Sequence, residues 1–236
     1  MQHLGARLSL VVLLCLVAGT AVAAAFRVTV DGSSPFATLD QAVMEAANGD
    51  TILVGPGHHR SDDLCLEKDL TFISIAGRER TVIDGQDKYR LIVIDAPVHV
   101  VFEDLTFAHG WMASEDAAGG AMLIWSGAHV EVRDCSFEDN AVAWQAGAIH
   151  ARGEGTVVEI SDSRFLRNRA VQGDGACGVQ MGGVMRIDNS CSWRIQPIGS
   201  RRRCRAGAGA TWRSRTRSSC ATRPPVGRWL PKKLHW

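Results

Sequence analysis

Short apolar runs separated by Gly, Asp and Asn recur along the chain between residues 26 and 188. The runs at 70–75, 98–102, 129–132 and 157–160 are rich in β-branched and aromatic residues, and several of them alternate with polar residues. Runs of this kind, bounded by turn residues, predict short strands. The sequence has neither a Leu-rich consensus nor a repeated amphipathic helix, so it favours a coil of parallel strands over other repeat architectures.

Two short phrases repeat within these runs in a unit of roughly 28 residues, a length typical of repeat architectures. Phe-x-x-Asn occurs at 137–140 and 165–168, and Gly-Gly-Ala-aliphatic occurs at 119–122 and, as Ala-Gly-Ala, at 146–149. Aligned on phenylalanine, the chain shows four copies of Asp-x-x-Phe, which begin at Asp69, Asp104, Asp134 and Asp162. Such a period predicts a solenoid, in which a coil buries its apolar face only when a neighbour stacks on it.

The repeated residues are those that a coil itself needs. We expect the phenylalanines of the four copies to stack as a buried ladder. Asn140 and Asn168 are expected at tight corners in the left-handed conformation, where their side chains bond the backbone of the next coil. Asp104, Asp134 and Asp162 recur with the period, so we interpret them as corner residues rather than catalysts.

The segment before the first coil predicts a short capping helix. Thr38-Leu-Asp-Gln41 has the form of a capping box, and Asn48-Gly49 is a suitable helix end. One helical face would carry Leu39, Ala42, Val43 and Ala46. This face would cover the apolar surface that the first coil otherwise leaves open.

The first 23 residues have the pattern of a secretory signal peptide. Arg7 precedes an apolar run at 8–17, and Ala21-Val-Ala23 offers a small-x-small cleavage site. The run is shorter than a membrane span, and no later segment approaches that length. We therefore predict three parts: a signal peptide at 1–23, a parallel β-helix domain at 24–190 and a basic, disordered tail at 191–236. The predicted location is secreted or at the cell surface.

The net charge of +1 hides an asymmetry along the chain. All 25 acidic residues lie within 1–188, whereas 189–236 holds 12 of the 26 basic residues and no acid. Near Ser190 a coil breaks off in mid-unit while Arg, Trp, Cys and Pro become frequent, which favours an out-of-frame segment. The alternative is an arm that binds nucleic acid. A second reading frame that restores the repeats beyond 190 would exclude this alternative.

Six cysteines follow the predicted signal peptide, which itself contains Cys15. Their spacing includes no Cys-x-x-Cys, so no zinc site is predicted from them. An oxidising destination permits disulfides, and Cys135 is expected to be a buried, apolar thiol within a repeat. The six are Cys65, Cys135, Cys177, Cys191, Cys204 and Cys220.

The pairing of Gly-Gly-Ala-aliphatic with Phe-x-x-Asn resembles the repeat of the polymorphic outer membrane proteins, whose passenger domains are right-handed parallel β-helices. The segments 36–43 and 48–57 are similar to the N-terminal cap and first strand of secreted pectin-lyase-like proteins, and Thr81-Val-Ile-Asp-Gly85 is a common phrase in that class. The resemblance covers about residues 26–190, although Phe107 is followed by Ala-His-Gly rather than x-x-Asn. It implies an all-β, right-handed parallel β-helix solenoid with a short N-terminal capping helix, truncated after about five coils.

Enzymes of the class that the chain resembles cleave acidic polysaccharides with paired carboxylates, or with carboxylates that hold calcium beside a base. The acidic candidates do not show the clustering with Arg and His that such a site needs on adjacent coils. They are Asp62, Asp63, Asp84, Asp87, Glu115, Asp116, Glu138 and Asp139. Gly57-His-His-Arg60 has metal or base potential, but we interpret it as a loop whose two histidines point in different directions.

Trp111, Trp125 and Trp144 could stack on sugar rings if exposed, or pack between coils. The sequence thus assigns no catalytic, cofactor-binding or metal-binding residue and no cofactor. It predicts a secreted or cell-surface, non-catalytic protein that adheres to extracellular glycans or proteins, with no nucleic-acid partner. The alternative is a polysaccharide lyase or glycoside hydrolase. Three acidic side chains converging on one face would favour this alternative.

Overall fold

The computed structural model describes residues 23–114, 117–193, 204–206 and 211–215. Residues 1–22 of the predicted signal peptide, the candidate acids Glu115 and Asp116, and Cys220 lie outside these ranges. Within them, the chain winds into successive turns, and every pairing between strands of neighbouring turns is parallel. No helix of the described part is long and apolar enough to cross a membrane.

Each turn contributes strands to three long sheets. Sheet 1 contains Ala25–Val28, Asp50–Val54, Leu70–Ser74, His99–Glu103, His129–Arg133, Val157–Ser161, Val184–Asp188 and Thr211–Arg215. Sheet 2 contains Gly57–Arg60, Thr81–Asp84, Thr106–Ala108, Ser136–Glu138, Arg164–Leu166 and Cys191–Trp193. Sheet 3 contains Leu64–Cys65, Ile92–Ile94, Met122–Ile124, Ile149–Arg152, Cys177–Gln180 and Cys204–Ala206. Between sheets 2 and 3, a short fourth sheet contains Trp111–Met112, Ala141–Val142 and Arg169–Ala170.

This arrangement confirms the predicted right-handed parallel β-helix. Its sheets 2 and 3 have six strands each, so the stack has about six turns where the sequence predicted about five. The additional turn comes from three short segments beyond residue 190, which pair with sheets 2, 3 and 1 in order. The domain boundary placed at 190 and the origin of the tail stay predictions.

A short helix, Leu39–Glu45, connects the first two strands of sheet 1 and confirms the predicted cap. The Thr38 side chain accepts a hydrogen bond from the Gln41 amide at 3.3 Å, and the Gln41 side chain accepts one from the Ala37 amide at 3.1 Å. Leu39, Ala42 and Val43 are buried in the central core. The helix ends at Glu45, shortly before the predicted end at Asn48.

A phenylalanine ladder fills the interior behind sheet 2. Phe107, Phe137 and Phe165 stack with 4.9 Å between successive ring centroids, as predicted. The prediction is wrong for Phe72, which stacks on Phe102 in sheet 1. Ile83 is the residue in register with Phe107 in sheet 2. The first Asp-x-x-Phe is out of phase because Asp69 precedes its sheet 1 strand, whereas the other three aspartates follow theirs.

An asparagine ladder runs beside the phenylalanines. The side-chain NH₂ group of Asn140 donates to the Phe107 carbonyl and to Oδ1 of Asn168, both at 2.9 Å. The backbone N–H of Gly110 donates to Oδ1 of Asn140 at 2.8 Å. The side-chain NH₂ group of Asn168 in turn donates to the Phe137 carbonyl at 2.8 Å. Both asparagines are buried, so their predicted role of bonding neighbouring backbone is confirmed.

The left-handed residues at this corner are not the asparagines. They are Asp139 and Arg167, one position earlier, with φ of 54° and 56°. The predicted left-handed backbone conformation of Asn140 and Asn168 is therefore wrong. The residue before each asparagine turns the chain, and the asparagine side chain is then buried inside the coil. At the corner between sheets 1 and 2, the repeated aspartates do adopt positive φ, which fits their interpretation as corner residues; they are Asp104, Asp134 and Asp162.

Cys135 is completely buried, and burial raises the pKa of its thiol to about 12. The predicted role as a small apolar core residue is confirmed. Cys65, in contrast, is exposed.

Candidate functional site

Four of the acidic candidates from the sequence each lie beside an arginine. Asp62 pairs with Arg60 at 3.3 Å, Asp63 lies 3.8 Å from a guanidinium nitrogen of Arg90, and Glu138 and Asp139 share Arg167. Asp87 is exposed in a turn. The four paired carboxylates are thus held by three different arginines.

Gly57-His-His-Arg60 is a strand of sheet 2, so its interpretation as a loop is wrong. Consecutive strand residues face opposite sides, which confirms that the two histidines diverge. His59 points inward, where its Nε2 lies 2.8 Å from the Gly55 carbonyl oxygen and burial lowers its pKa. His58 points outward, and its Nδ1 lies 2.9 Å from Oδ2 of Asp84.

Asp84 is bracketed by two histidines on the outer side of sheet 2. Its second oxygen lies 3.2 Å from Nδ1 of His109, and the Gln86 amide donates to it at 2.8 Å. Partial burial alone would raise the pKa of Asp84, but the hydrogen bonds from His58, Gln86 and His109 outweigh that effect and lower it. The carboxylate is therefore held in its charged form.

A buried polar layer covers sheet 3. His150 is 1% exposed, and neither of its ring nitrogens has a hydrogen-bond partner. Arg90, also buried, donates to the Gly119 carbonyl at 3.1 Å. Arg152 lies 3.8 Å above the ring of Trp125. The guanidinium of Arg152 thus covers one face of the Trp125 ring. All three candidate tryptophans are only partly exposed.

The strongest clustering of chemically useful side chains is on the outer face of sheet 1, where the sequence interpretation assigned no site. His99 and His129 are in register on adjacent strands, and their rings stack with centroids 4.8 Å apart. Glu131 and Glu159 are in register on the next pair. We call these four residues the histidine–glutamate cluster. Alternation explains the arrangement, because His129 and Glu131 are two positions apart and so share one face.

Hydrogen bonds and ion pairs link the cluster from both sides. His99 Nε2 lies 2.8 Å from one oxygen of Glu131, and His129 Nε2 lies 3.8 Å from one oxygen of Glu159. The other Glu131 oxygen pairs with Arg133, and the other Glu159 oxygen pairs with Arg186. Each glutamate therefore faces an arginine with one oxygen and a histidine with the other.

These contacts keep Glu131 ionised. Partial burial would raise its pKa, but hydrogen bonds from His99 and Arg133, together with their charges, lower it. The signal for the cluster was present in the sequence as the aligned strands at 98–102, 129–132 and 157–160. The repeats align through their inward apolar residues, and the polar residues of the cluster occupy the outward positions between them.

The corner aspartates have a structural partner in Arg78. The Arg78 amide donates to Oδ1 of Asp104 at 3.1 Å. Its guanidinium donates to Oδ1 of Asp134 at 3.5 Å and to the Asp162 carbonyl at 3.2 Å. One side chain thus spans the corners of several turns, which supports a structural role for these aspartates.

The chain is similar to solved structures in its coil architecture. Pectin methylesterase PemA from Erwinia chrysanthemi is 17% identical with a TM-score of 0.42 over 72% of this chain and 56% of that one. A pectin methylesterase from carrot is 14% identical with a TM-score of 0.37 over 87% and 86%. No family model matches the sequence, and no curated protein matches it. The chain spans about half of the Erwinia enzyme, and the likeness extends to the fold alone.

Proposed function

We propose that this chain is a secreted, non-catalytic binding protein whose sheet 1 outer face holds an extracellular glycan. The observation that carries the proposal is the set of ion-paired side chains on that face: Glu131 with Arg133, and Glu159 with Arg186. Their strands lie about 4.8 Å apart in a parallel sheet. The face therefore presents planar donors and acceptors at regular intervals, already oriented by one another.

Pre-oriented polar groups suit a ligand rich in hydroxyl groups. Glycan binding needs hydrogen-bond partners that are fixed in place, because immobilising flexible side chains costs binding free energy. Arg133 and Arg186 are each about half exposed, so their free N–H groups can reach a ligand while the carboxylates hold them. An adhesive role on a surface would follow from the same face.

The test measures binding of the secreted chain to immobilised acidic and neutral polysaccharides. Arg133→Ala with Arg186→Ala should weaken binding by roughly tenfold per arginine, since a hydrogen bond to a charged group contributes about 1.5 kcal/mol or more. Arg60→Ala is the matched control, because Arg60 is an exposed, ion-paired arginine on sheet 2. Equal binding by all variants, or no binding to any polysaccharide, would contradict the proposal.

A polysaccharide hydrolase or lyase is the second candidate, and one observation favours it. Glu131 and Glu159 are in register on adjacent strands, so this face carries two neighbouring carboxylates, the kind of pair that a glycosidase uses. Against it, a general acid needs a raised pKa, whereas the pKa of Glu131 is lowered. Release of reducing ends or unsaturated products that stops in Glu131→Gln would replace the binding proposal with this one.

A further inference from the structure

We propose that the histidine–glutamate cluster binds a divalent transition-metal ion of the zinc class. One ligand atom each from His99, His129 and Glu131 lies within 4.8 Å of the other two. Two imidazoles with a carboxylate form a donor set that zinc uses in proteins, often with a further oxygen ligand. Glu159 supplies that oxygen from the adjacent strand.

The unpaired nitrogen of His129 points to a cation. Its Nε2 is shielded from solvent and has no hydrogen-bond partner. The nearest carboxylate oxygen, Oε2 of Glu159, is 3.8 Å away, which is too long for a hydrogen bond. A shielded imidazole nitrogen without a partner is costly, and an ion placed between it and the two carboxylates would remove that cost.

The two arginines orient the carboxylates for such an ion. Arg133 and Arg186 each take one oxygen of a glutamate and leave the other directed at a histidine. Groups that fix the orientation of ligands are a regular feature of metal sites. The arginines also neutralise part of the negative charge, so the site depends on the imidazole nitrogens rather than on charge alone.

The geometry requires only local movement. Ligand atoms around a tetrahedral zinc ion lie about 3.3 Å apart, given bonds of about 2.0 Å. The two rings stack at an angle of 26°, so each must turn about its Cβ–Cγ bond to point a lone pair into the shared gap. Both histidine side chains are nearly half exposed, which leaves them room to turn. The strands themselves need not move.

Imidazole ligands predict the selectivity. Zinc, copper and nickel bind imidazole well, whereas calcium and magnesium require oxygen ligands almost exclusively. We therefore expect binding of Zn²⁺ and not of Ca²⁺ or Mg²⁺. This separates the site from a calcium site built on carboxylates.

The experiment is isothermal titration of the untagged, secreted full chain with ZnCl₂, and in parallel with CaCl₂. His99→Val and His129→Val are the test variants, because valine occupies the same column at Val157 and Val184. His58→Val is the matched control: His58 is an exposed histidine paired with a carboxylate, and its register partner is Val82. Thiols elsewhere in the chain contribute equally to every variant.

Wild type and His58→Val should bind one Zn²⁺ tightly through the cluster. Each test variant should bind that ion at least roughly tenfold more weakly, the lower limit of what even an outer-shell partner is worth. Unfolding temperature should rise with ZnCl₂ in wild type and much less in the test variants. Identical titrations for all four proteins, or saturable calcium binding at the cluster, would overturn the inference. No glycan is present, so the result is independent of the proposed function.

Discussion

At the scale of single residues, His150 is a buried base held without a partner. It lies in register with Leu123, beside the close-packed Gly178 and Ala146. Burial lowers the pKa of His150 to about 4, and the charges of Arg152 and Arg90 act in the same direction, while the nearby Gln180 opposes them. The amide of Gln180 is itself bonded to Gln145. The ring is therefore neutral in the folded protein at neutral pH.

This perturbation predicts how stability depends on pH. In the unfolded chain the pKa of a histidine is about 6.5, so between about pH 6.5 and pH 4 the unfolded state binds a proton that the folded state does not. The free energy of unfolding should therefore fall as the pH falls through this window. His150 alone should lower the free energy of unfolding by about 3 kcal/mol across this window. Urea unfolding at several values between pH 7.5 and pH 4 measures it.

The variant His150→Leu isolates the effect. Leucine is already the residue of the preceding turn at this position, so the replacement suits the layer. Its stability should depend less steeply on pH than that of wild type, with little loss at pH 7.5. If both proteins lose stability in parallel on acidification, His150 is not the group responsible.

At the scale of the elements, the asparagine ladder should contribute more than any exposed polar contact. Asn140→Ala leaves the Gly110 amide and the Phe107 carbonyl without their partners in a buried corner. An unsatisfied buried group costs about 1–3 kcal/mol, so the free energy of unfolding should fall by about 3 kcal/mol or more. Chemical denaturation of wild type and variant at pH 7.5 provides the comparison.

The control for the ladder is Asn48→Ala. Asn48 also accepts a backbone hydrogen bond, from the Asp69 amide at 2.8 Å, but it is exposed to solvent. Water can replace this partner, so the loss should be well under 1 kcal/mol. Similar losses of unfolding free energy in both variants would show that the buried ladder stabilises the fold no more than an exposed hydrogen bond does.

The repeated phrases predicted the elements well because they report local needs of the coil. A Cβ at Gly120 would lie 2.4 Å from the Gly147 carbonyl oxygen, which explains the glycine common to both Gly-Gly-Ala copies. The first phase was misassigned because Phe72 and Phe107 are both core residues but belong to different sheets. An inward-facing phenylalanine gives the same local sequence pattern in sheet 1 and in sheet 2, so the pattern cannot tell which of the two sheets it belongs to.

The histidine–glutamate cluster escaped prediction for a different physical reason. Its members come from three turns and meet only through the register of sheet 1, and they are outward residues that packing does not constrain. His99 and Glu131 are 32 residues apart in the chain. A comparison of outward positions at the repeat spacing would have paired them, but the choice of partner depends on rotamers that sequence does not specify.

At the scale of the whole molecule, a solenoid is held together mainly by contacts between neighbouring turns. Arg78 is an exception in the described part of the chain, since it starts in the turn of Leu70–Ser74 and reaches Asp134 and Asp162 on later turns. Arg78 and Asp162 are 84 positions apart in the sequence, which makes this a long-range link along the stack. The ion pair between Arg164 and Glu79 is a second link between the same parts of the stack. Such links couple turns that are not direct neighbours.

Replacing Arg78 should therefore reduce cooperativity as well as stability. Arg78→Met keeps the length of the side chain but removes its charge-assisted bonds, and because Asp134 is well exposed we expect a loss of about 1 kcal/mol. Arg80→Met is the control, since the Arg80 side chain bonds only the Ala76 carbonyl, within its own loop, in the described structure. Native-state hydrogen exchange should show the turns at 157–188 opening independently of those at 70–103 in Arg78→Met alone. Unchanged exchange in both variants would mean that contacts other than those of Arg78 suffice to couple the turns.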